Sequence, residues 1–167
     1  MDAALAILNE MEESGVVQRS AIGGALAAFF YSEVVVTEDL DLFVLLDPHT
    51  GSLVSLGPVY EFLKARGARE HREHLQLAGI LLQIIPAFDP LIEEAVREAC
   101  RRVVGNTPTR VMSAEHLIAI ALKTGRAKDL SRIALLLEEA DVDRARLQGI
   151  LNRHGLLGAW SRFQGHS

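Results

Sequence analysis

Two short segments of the sequence carry side chains and turns that could do chemistry together. Gly23-Gly24 closes a short β-branched stretch, and Asp39 and Asp41 stand two residues apart at the start of the run DLDLFVLL. Residues two apart on a strand point to the same face, with backbones about 7 Å apart, so these carboxylates repel unless a cation lies between them. Mg²⁺ prefers carboxylate oxygens together with phosphate oxygens. The acid pair therefore indicates a metal site.

The glycine pair supplies the other half of this site. Without side chains, backbone amides at a strand-to-helix turn can approach phosphate oxygens, and a helix N-terminus adds a favourable dipole. Each feature alone is more often ordinary, because two glycines usually form a tight turn and two acids usually mark a solvated strand edge. Their combination across a short helical connection favours a metal–nucleotide site.

The flanking sequence predicts the elements that would position these residues. The expected helices are 3–14, 25–32, 58–66 and 90–102, and the expected strands are 16–22, 39–46, 70–77 and 80–85. The last two strands would form a hairpin through Ala78-Gly79. From Ser113 onwards the pattern is helical almost throughout. We therefore expect an α/β core over 1–112 and a C-terminal helical subdomain over 113–167 packed on it.

Composition excludes several classes of protein. The 167 residues are 49% hydrophobic and 23% charged, with a formal net charge of −5, which supports a folded core and excludes coating of nucleic acid by bulk charge. A local basic patch stays compatible with that balance. The single Cys100 excludes a disulfide framework and a cysteine zinc cluster. With no apolar run of about 20 residues and an acidic N-terminal segment, the sequence predicts a cytoplasmic protein without a membrane span.

The order Gly23-Gly24, a helix, then Thr37-x-Asp39-x-Asp41 resembles the signature of the DNA polymerase β-type nucleotidyltransferase superfamily. Two later stretches, IIPAFDPLIEEA at 84–95 and the helix pair at 115–137, are similar to its small prokaryotic branch. That branch comprises the minimal and the toxin–antitoxin-like or abortive-infection nucleotidyltransferases. The resemblance covers roughly residues 15–140.

This resemblance implies an α/β nucleotidyltransferase fold, a small mixed sheet flanked by helices. Gly23, Gly24 and Thr37 would bind the NTP, and Asp39 and Asp41 would hold Mg²⁺ for two-metal in-line displacement. The implied reaction transfers a nucleoside monophosphate from the NTP to an acceptor hydroxyl.

The sequence departs from the family pattern at two positions. Val35 stands where an arginine often precedes the Thr of the motif, and Gln83 occupies the position of the third carboxylate. An amide cannot accept a proton as a carboxylate does, and Asp89 lies beyond Pro86 on the next turn. Two alternatives therefore stay open: a catalytically weakened nucleotide-binding or interaction module on the same scaffold, and a structural domain that binds a partner protein.

Basic and aromatic side chains outside this motif are less informative. Lys123, Arg126 and Lys128 flank Gly125, either facing a triphosphate or forming a solvated helix end, and Lys123 is the preferred nucleotide ligand. The pair His71 and His74 would lie on opposite faces of one strand. The remaining histidines are expected at the surface or at helix caps, including His116 at a helix start and His154 and His166 near the C-terminus.

The acceptor is left open by the sequence. A tRNA 3′ end, a Tyr or Ser of a partner protein and a small antibiotic all present a hydroxyl, and no residue type in the chain chooses among them. The base preference for the NTP and the oligomeric state are equally open.

Overall fold

The structure is a computed structural model that describes residues 1–31, 39–47 and 55–165. The helices in those ranges are α1 (Asp2–Glu13), α2 (Gly24–Phe29), α3 (Gly57–Ala65), α4 (Pro90–Arg97), α5 (Ala114–Thr124), α6 (Ala127–Glu139), α7 (Arg144–Arg153) and α8 (Leu157–Gly165). The strands are β1 (Arg19–Ile22), β2 (Asp39–Leu45), β3 (Arg69–His71), β4 (His74–Leu77), β5 (Ile80–Pro86), β6 (Cys100–Val104) and β7 (Thr107–Val111). Thr37 and Val35 lie outside the described residues, as does His166.

All of these strands belong to one mixed sheet in the order β3-β4-β5-β2-β1-β7-β6. The strand β2 runs parallel to β5 and antiparallel to β1, and β1 runs parallel to β7. The outer pairs are antiparallel hairpins. The expectation of a mixed sheet flanked by helices is confirmed.

The alternation of side chains along β2 separates the core from the polar face of the sheet. Leu40, Leu42 and Val44 are buried, with at most 2% of each residue exposed. Because neighbouring side chains on a strand point to opposite faces, Asp39 and Asp41 project from the other side. Burial of the leucines thus fixes the direction of both carboxylates.

The helical C-terminal segment is organised around α5. This helix is buried at eight of its eleven residues, and it contacts α4, α6, α7 and α8. The side chain of Ser113 caps its start by accepting a hydrogen bond from the backbone N–H of His116. Gly125, at φ +68°, ends it and lets α6 turn back, as expected for the helix pair. No helix in the described ranges is long and apolar enough to cross a membrane.

Two predicted elements are wrong. The helix expected over 90–102 stops at Arg97, and Cys100–Val104 instead pairs with β7 across a turn at Gly105-Asn106. The strand expected over 70–77 is divided into β3 and β4 by a turn at Arg72-Glu73, where Arg72 has φ +55°. Neither residue of that second turn is a usual turn former, so the sequence contained little signal for it.

The hairpin predicted through Ala78-Gly79 is confirmed. It joins β4 to β5, and both turn residues have positive φ, +49° and +82°, as a two-residue hairpin loop requires.

Candidate active site

The central strands place three residues of the candidate site in one row. Asp41 on β2 lies beside Gln83 on the parallel strand β5. On the other side, the backbone N–H of Gly23 donates to the carbonyl oxygen of Asp41 at 2.9 Å. Gln83 is exposed on the same face of the sheet as Asp41. The structure therefore puts this amide beside the acid pair, at the place expected for a third carboxylate.

Both glycines of the turn between β1 and α2 are required by close packing. Gly24 has φ +60°, and a Cβ there would overlap the carboxylate of Asp41, lying 2.7 Å from its Cγ atom. A Cβ at Gly23 would overlap the ring of Phe43. The helix α2 has only six residues, so its dipole is not the argument for phosphate binding at this turn. The argument is the backbone of the two glycines, which no side chain covers.

A cleft of about 440 Å³ lies over this row and joins the sheet to α5 and α6. The predicted site residues that line it are Gly24, Asp39, Asp41 and Gln83. Three basic residues from the start of α6 line it as well: Arg126, Lys128 and Arg132. The cleft thus combines the two carboxylates of β2 with a set of cations on the opposite wall.

The charged groups in the cleft shift the pKa of the Asp41 carboxyl. Burial raises the pKa of the Asp41 carboxyl above its ordinary value, and the neighbouring charge of Asp39 raises it further. Arg132, His74 and Lys128 oppose that rise of the pKa. A divalent cation between two partly buried carboxylates would stabilise both in their charged form. The donor set of Asp39 and Asp41, with the amide oxygen of Gln83 beside it, therefore fits a hard metal ion such as Mg²⁺.

The basic wall of the cleft is organised by a buried acid. Asp129, which is 2% exposed, accepts hydrogen bonds from Nε of Arg126 at 2.6 Å and from Nη1 of Arg132 at 3.5 Å. These contacts hold both guanidinium groups at the cleft. Arg132 was missed by sequence reasoning, although its three-residue spacing from Asp129 on one helix was an available signal.

The structure does not bring Lys123 into the cleft. Its ammonium group pairs with the carboxylate of Asp89, which caps the start of α4 by accepting from Leu91 N–H at 3.0 Å. The cleft-facing residues of α5 include Leu117 and Ala121. At 100° per residue, Lys123 projects about 110° away from the mean direction of the four cleft-lining residues of α5, Leu117, Ile120, Ala121 and Thr124. Arg126 and Lys128 occupy the place proposed for Lys123.

The histidines also differ from expectation. His116 contacts the capping residue Ser113 at the start of α5, as one of the expected alternatives, but it is fully buried, with Nε2 3.3 Å from a carboxylate oxygen of Glu94 and Nδ1 3.0 Å from Ser113 Oγ. His154 contacts the same carboxylate at 2.8 Å. The possible ligand atoms of Glu94, Glu98 and His116 lie within 4.8 Å of one another, so this group could also hold a metal ion. None of the three lines the cleft over Asp41.

A second cavity, of about 470 Å³, lies between α1 and the β6–β7 hairpin. Its most buried carboxylate, Glu12, is already paired with Arg110 at 2.6 Å. The cleft over β2 is the better candidate because its acids lie on one face beside a glycine turn.

Comparison with known proteins gives structural but not sequence relatives. No protein-family model matches the sequence, and no curated protein matches it significantly. The solution structure of the antibiotic-resistance factor ANT(2'')-Ia is similar over the whole of both chains, with 16% identity and a TM-score of 0.53. The crystal structure of ANT(2")-Ia in complex with adenylyl-2"-tobramycin is similar over 94% of each chain, with 17% identity and a TM-score of 0.53.

A third similar structure is an antigenic nucleotidyltransferase-like protein from Paracoccidioides brasiliensis. The match covers 89% of this chain and 84% of that one, with 16% identity and a TM-score of 0.57. Identities at this level establish the architecture alone. The mixed sheet, its flanking helices and these three likenesses agree: the chain has the nucleotidyltransferase fold.

Proposed function

We propose that this protein transfers a nucleoside monophosphate from an NTP to an acceptor hydroxyl, with Mg²⁺ held by Asp39 and Asp41. The observation that carries the proposal is the shared cleft. It combines the acid pair, the bare backbone at Gly24 and the basic start of α6 within about 440 Å³. The structural neighbours, one of which holds an adenylylated tobramycin, support the same reaction class.

The two walls of the cleft have different tasks in this proposal. The Gly23-Gly24 turn binds the triphosphate on the sheet side, and Thr37 is a further nucleotide ligand in this proposal. The cationic side chains of Arg126, Lys128 and Arg132 attract its negative charge from the opposite wall, and because Arg126 and Lys128 are exposed, salt screens this attraction. Bound Mg²⁺ would neutralise the triphosphate and polarise the α-phosphorus for attack.

In this proposal Gln83 is the residue beside the attacking hydroxyl of the acceptor. Its amide can orient the attacking hydroxyl by a hydrogen bond, but it cannot take the proton. Because Gln83 is exposed, the proton of the hydroxyl can pass to solvent. General-base help is worth typically 10²–10⁴-fold, so we expect slow turnover compared with an enzyme that has a carboxylate here.

Three finer assignments belong to this proposal. We assign the chain to the abortive-infection or toxin–antitoxin-like branch on the basis of Pro86 at the end of β5 and of the helix pair α5–α6. We place the boundary between core and helical subdomain at 112/113, supported by all described strands preceding Ser113. We also propose a cytoplasmic location.

The test is pyrophosphate release with each NTP and Mg²⁺ in the presence of each acceptor class in turn: a tRNA, a protein with exposed Tyr and Ser hydroxyls, and an aminoglycoside. Wild type is expected to release pyrophosphate, and Asp41→Asn to release none while remaining folded. Asp89→Asn is the matched control, because this carboxylate pairs with Lys123 outside the cleft. Gln83→Asp is expected to raise the rate.

Two results would separate the alternatives. Saturable Mg²⁺–NTP binding without pyrophosphate in wild type and Gln83→Asp would favour the nucleotide-binding module. Equal rates in wild type and Asp41→Asn would refute a reaction at this cleft.

A further inference from the structure

The sheet of the described residues has β3 at one edge and β6 at the other. The strand β3 has three residues, and its turn to β4 brings His71 and His74 to one face of the sheet, contrary to the sequence expectation. The strand β6 has five residues, and no described strand pairs with its outer side. Such an edge presents backbone N–H and C=O groups to which another strand can bond.

The geometry of the β6–β7 hairpin identifies the residues of β6 whose backbone points outwards. Its two-residue turn makes Val104 and Thr107 a hydrogen-bonded pair. Along an antiparallel ladder such pairs alternate with pairs that are not hydrogen-bonded, and Arg101 and Val103 belong to the second kind. Their N–H and C=O groups therefore point away from β7, towards the outer edge.

Two observations agree with this assignment. Pro108, which stands opposite Val103, has no N–H to donate to it. The carbonyl oxygen of Arg101 accepts a hydrogen bond from Nη1 of Arg102 at 3.2 Å, as an oxygen that points away from β7 can do. The outer edge of β6 thus offers two N–H and two C=O groups, whereas by the same rule β3 directs only Glu70 outwards.

The side chains along this edge are exposed and basic. Arg101, Arg102 and Val103 are exposed, and Val103, at 67%, is more exposed than any other large apolar residue in the described ranges. Neither arginine forms an ion pair with a described residue, and Arg102 lies over the ring of Tyr31, 5.7 Å from its centroid. Residues 99–112 contain three arginines and no acid.

The acids nearest the hairpin belong to α1, which contacts β7. Asp2 lies beside Gly105 at the turn, and Glu12 pairs with Arg110 at 2.6 Å. Glu13 lines the cavity of about 470 Å³ on the α1 side of the hairpin. The outer edge of β6 itself is therefore positively charged.

We propose that the outer edge of β6 binds an extended acidic segment of a partner protein, which adds to the sheet as a further strand. The outward N–H and C=O groups of Arg101 and Val103 supply its backbone hydrogen bonds. Opposite charges attract when they face each other across two strands, so the segment carries carboxylates opposite Arg101 and Arg102 and an apolar residue opposite Val103. In antiparallel pairing this order reads apolar, acid, acid from the N-terminus.

A second copy of the chain fits this edge less well. Both outward residues of each copy are bonded within β6 only when Arg101 of one copy pairs with Val103 of the other. That register places the two Arg102 residues opposite each other, with Cα atoms about 4.5 Å apart. Like charges at this position destabilise the pairing, so the arginines favour an acidic partner over self-association.

The edge is separate from the cleft over β2. Three strand spacings lie between β6 and β2, about 14 Å at the usual distance between neighbouring strands. Binding at β6 therefore needs neither nucleotide nor metal, and the inference does not rest on the proposed function.

The experiment measures peptide binding to the whole protein by fluorescence anisotropy, without NTP or Mg²⁺. The probe is a labelled pentapeptide of the order Thr-Val-Glu-Glu-Val, which is written for antiparallel pairing, and the order Val-Glu-Glu-Val-Thr is its parallel counterpart. Saturable binding of either peptide is expected. The same peptides with lysine in place of glutamate are expected to bind about tenfold more weakly or not at all.

Methylated peptides separate strand addition from simple attraction of charges. In the antiparallel peptide the amide of the first valine would donate to Val103, and the amide of the first glutamate, opposite Arg102, would point away from β6. Methylation of the valine amide is therefore expected to weaken binding about tenfold, since it removes a hydrogen bond and inserts a methyl group there. Methylation of the glutamate amide is the matched control and is expected to have little effect.

Variants of the protein assign the binding to β6. Val103→Pro removes an outward N–H and leaves the bonds to β7 in place, so it is expected to weaken binding about tenfold. Val103→Thr, which keeps the N–H, is its matched control. The double variant Arg101→Glu, Arg102→Glu is expected to bind the lysine peptide more tightly than the glutamate peptide. Circular dichroism verifies the fold of each variant, and the methylated peptides give the same test without a substitution.

Several results would overturn the inference. These are the absence of saturable binding, equal binding of the glutamate and lysine peptides, and equal binding of the two methylated peptides. Sedimentation velocity adds a further one: a dimer that Val103→Pro dissociates would show that a second copy occupies the edge. None of these results bears on pyrophosphate release that depends on Asp41, so the inference and the proposed function fail separately.

Discussion

The most specific structural demand in the site is the absence of a side chain at Gly24, and Gly24→Ala tests it. The residue has φ +60°, which costs an alanine roughly 1–2 kcal/mol. The new Cβ would also overlap the carboxylate of Asp41 and lie 3.1 Å from its Cβ. Turning Asp41 out of its preferred rotamer adds about 1 kcal/mol. We therefore expect Gly24→Ala to destabilise the protein by about 2–3 kcal/mol.

Gly15 offers a matched control for the backbone contribution. It has φ +74°, and no described atom lies within 4 Å of a Cβ built there. Gly15→Ala therefore carries the same backbone strain without the overlap, and it should cost only about 1–2 kcal/mol. In thermal unfolding, 1 kcal/mol corresponds to about 2–4 °C for a protein of this size, so the two variants are distinguishable.

The functional effect of Gly24→Ala should follow from the displaced carboxylate. Mg²⁺-dependent NTP binding is expected to be lost in Gly24→Ala and retained in Gly15→Ala, as measured by titration of a fluorescent NTP analogue. A double-mutant cycle with Asp41→Ala isolates the contact, and it should show a coupling of about 1 kcal/mol. The argument is refuted if Gly24→Ala is no less stable than Gly15→Ala and binds the nucleotide like wild type.

Two further predictions concern charged groups outside the sheet. Lys123→Ala should leave NTP affinity unchanged because Lys123 pairs with Asp89. Lys128→Ala should weaken NTP affinity, and the loss should be smaller at high salt. If Lys123 were the ligand, nucleotide titrations at two ionic strengths would show a salt-dependent loss of affinity in Lys123→Ala and none in Lys128→Ala. Glu94 has its pKa lowered from 4.5 to about 2, chiefly by the hydrogen bond from Arg153, so the ionised form stabilises the fold above pH 4.5. As pH falls from 4.5 through 2, this contribution to the free energy of unfolding, up to about 3 kcal/mol, is lost. Urea unfolding of Glu94→Gln should show a smaller loss of unfolding free energy than wild type over the same pH range.

The sequence predicted the placement of the acid pair and of Gln83 in the sheet because the signals there are local. Alternation along β2 places Asp39 and Asp41 on one face, and the structure agrees because the intervening Leu40 is buried. The position of Gln83 beside Asp41 depends only on parallel pairing of two neighbouring strands. Such features follow from periodicity and from the order of elements along the chain.

The errors arose where tertiary context overrides local pattern. The turn at Arg72-Glu73 contains no glycine, asparagine or proline, so one strand was expected where two exist, and the two histidines were placed on opposite faces. Lys123 was expected in the cleft from the apolar run of its helix, whereas the rotation of α5 about its axis is set by the helices packed around it. Burial of His116 follows from its contact with Glu94, 22 residues away, which no local pattern contains.

The central claim is that the cleft binds a metal–nucleotide complex through the acid pair of β2. Isothermal titration calorimetry with a non-hydrolysable NTP analogue tests it directly, with and without Mg²⁺, on wild type, Asp41→Asn and the control Asp89→Asn. We predict saturable binding that requires Mg²⁺, that disappears in folded Asp41→Asn and that persists in Asp89→Asn. Nucleotide affinity that is the same without Mg²⁺, or the same in Asp41→Asn as in wild type, would contradict the account.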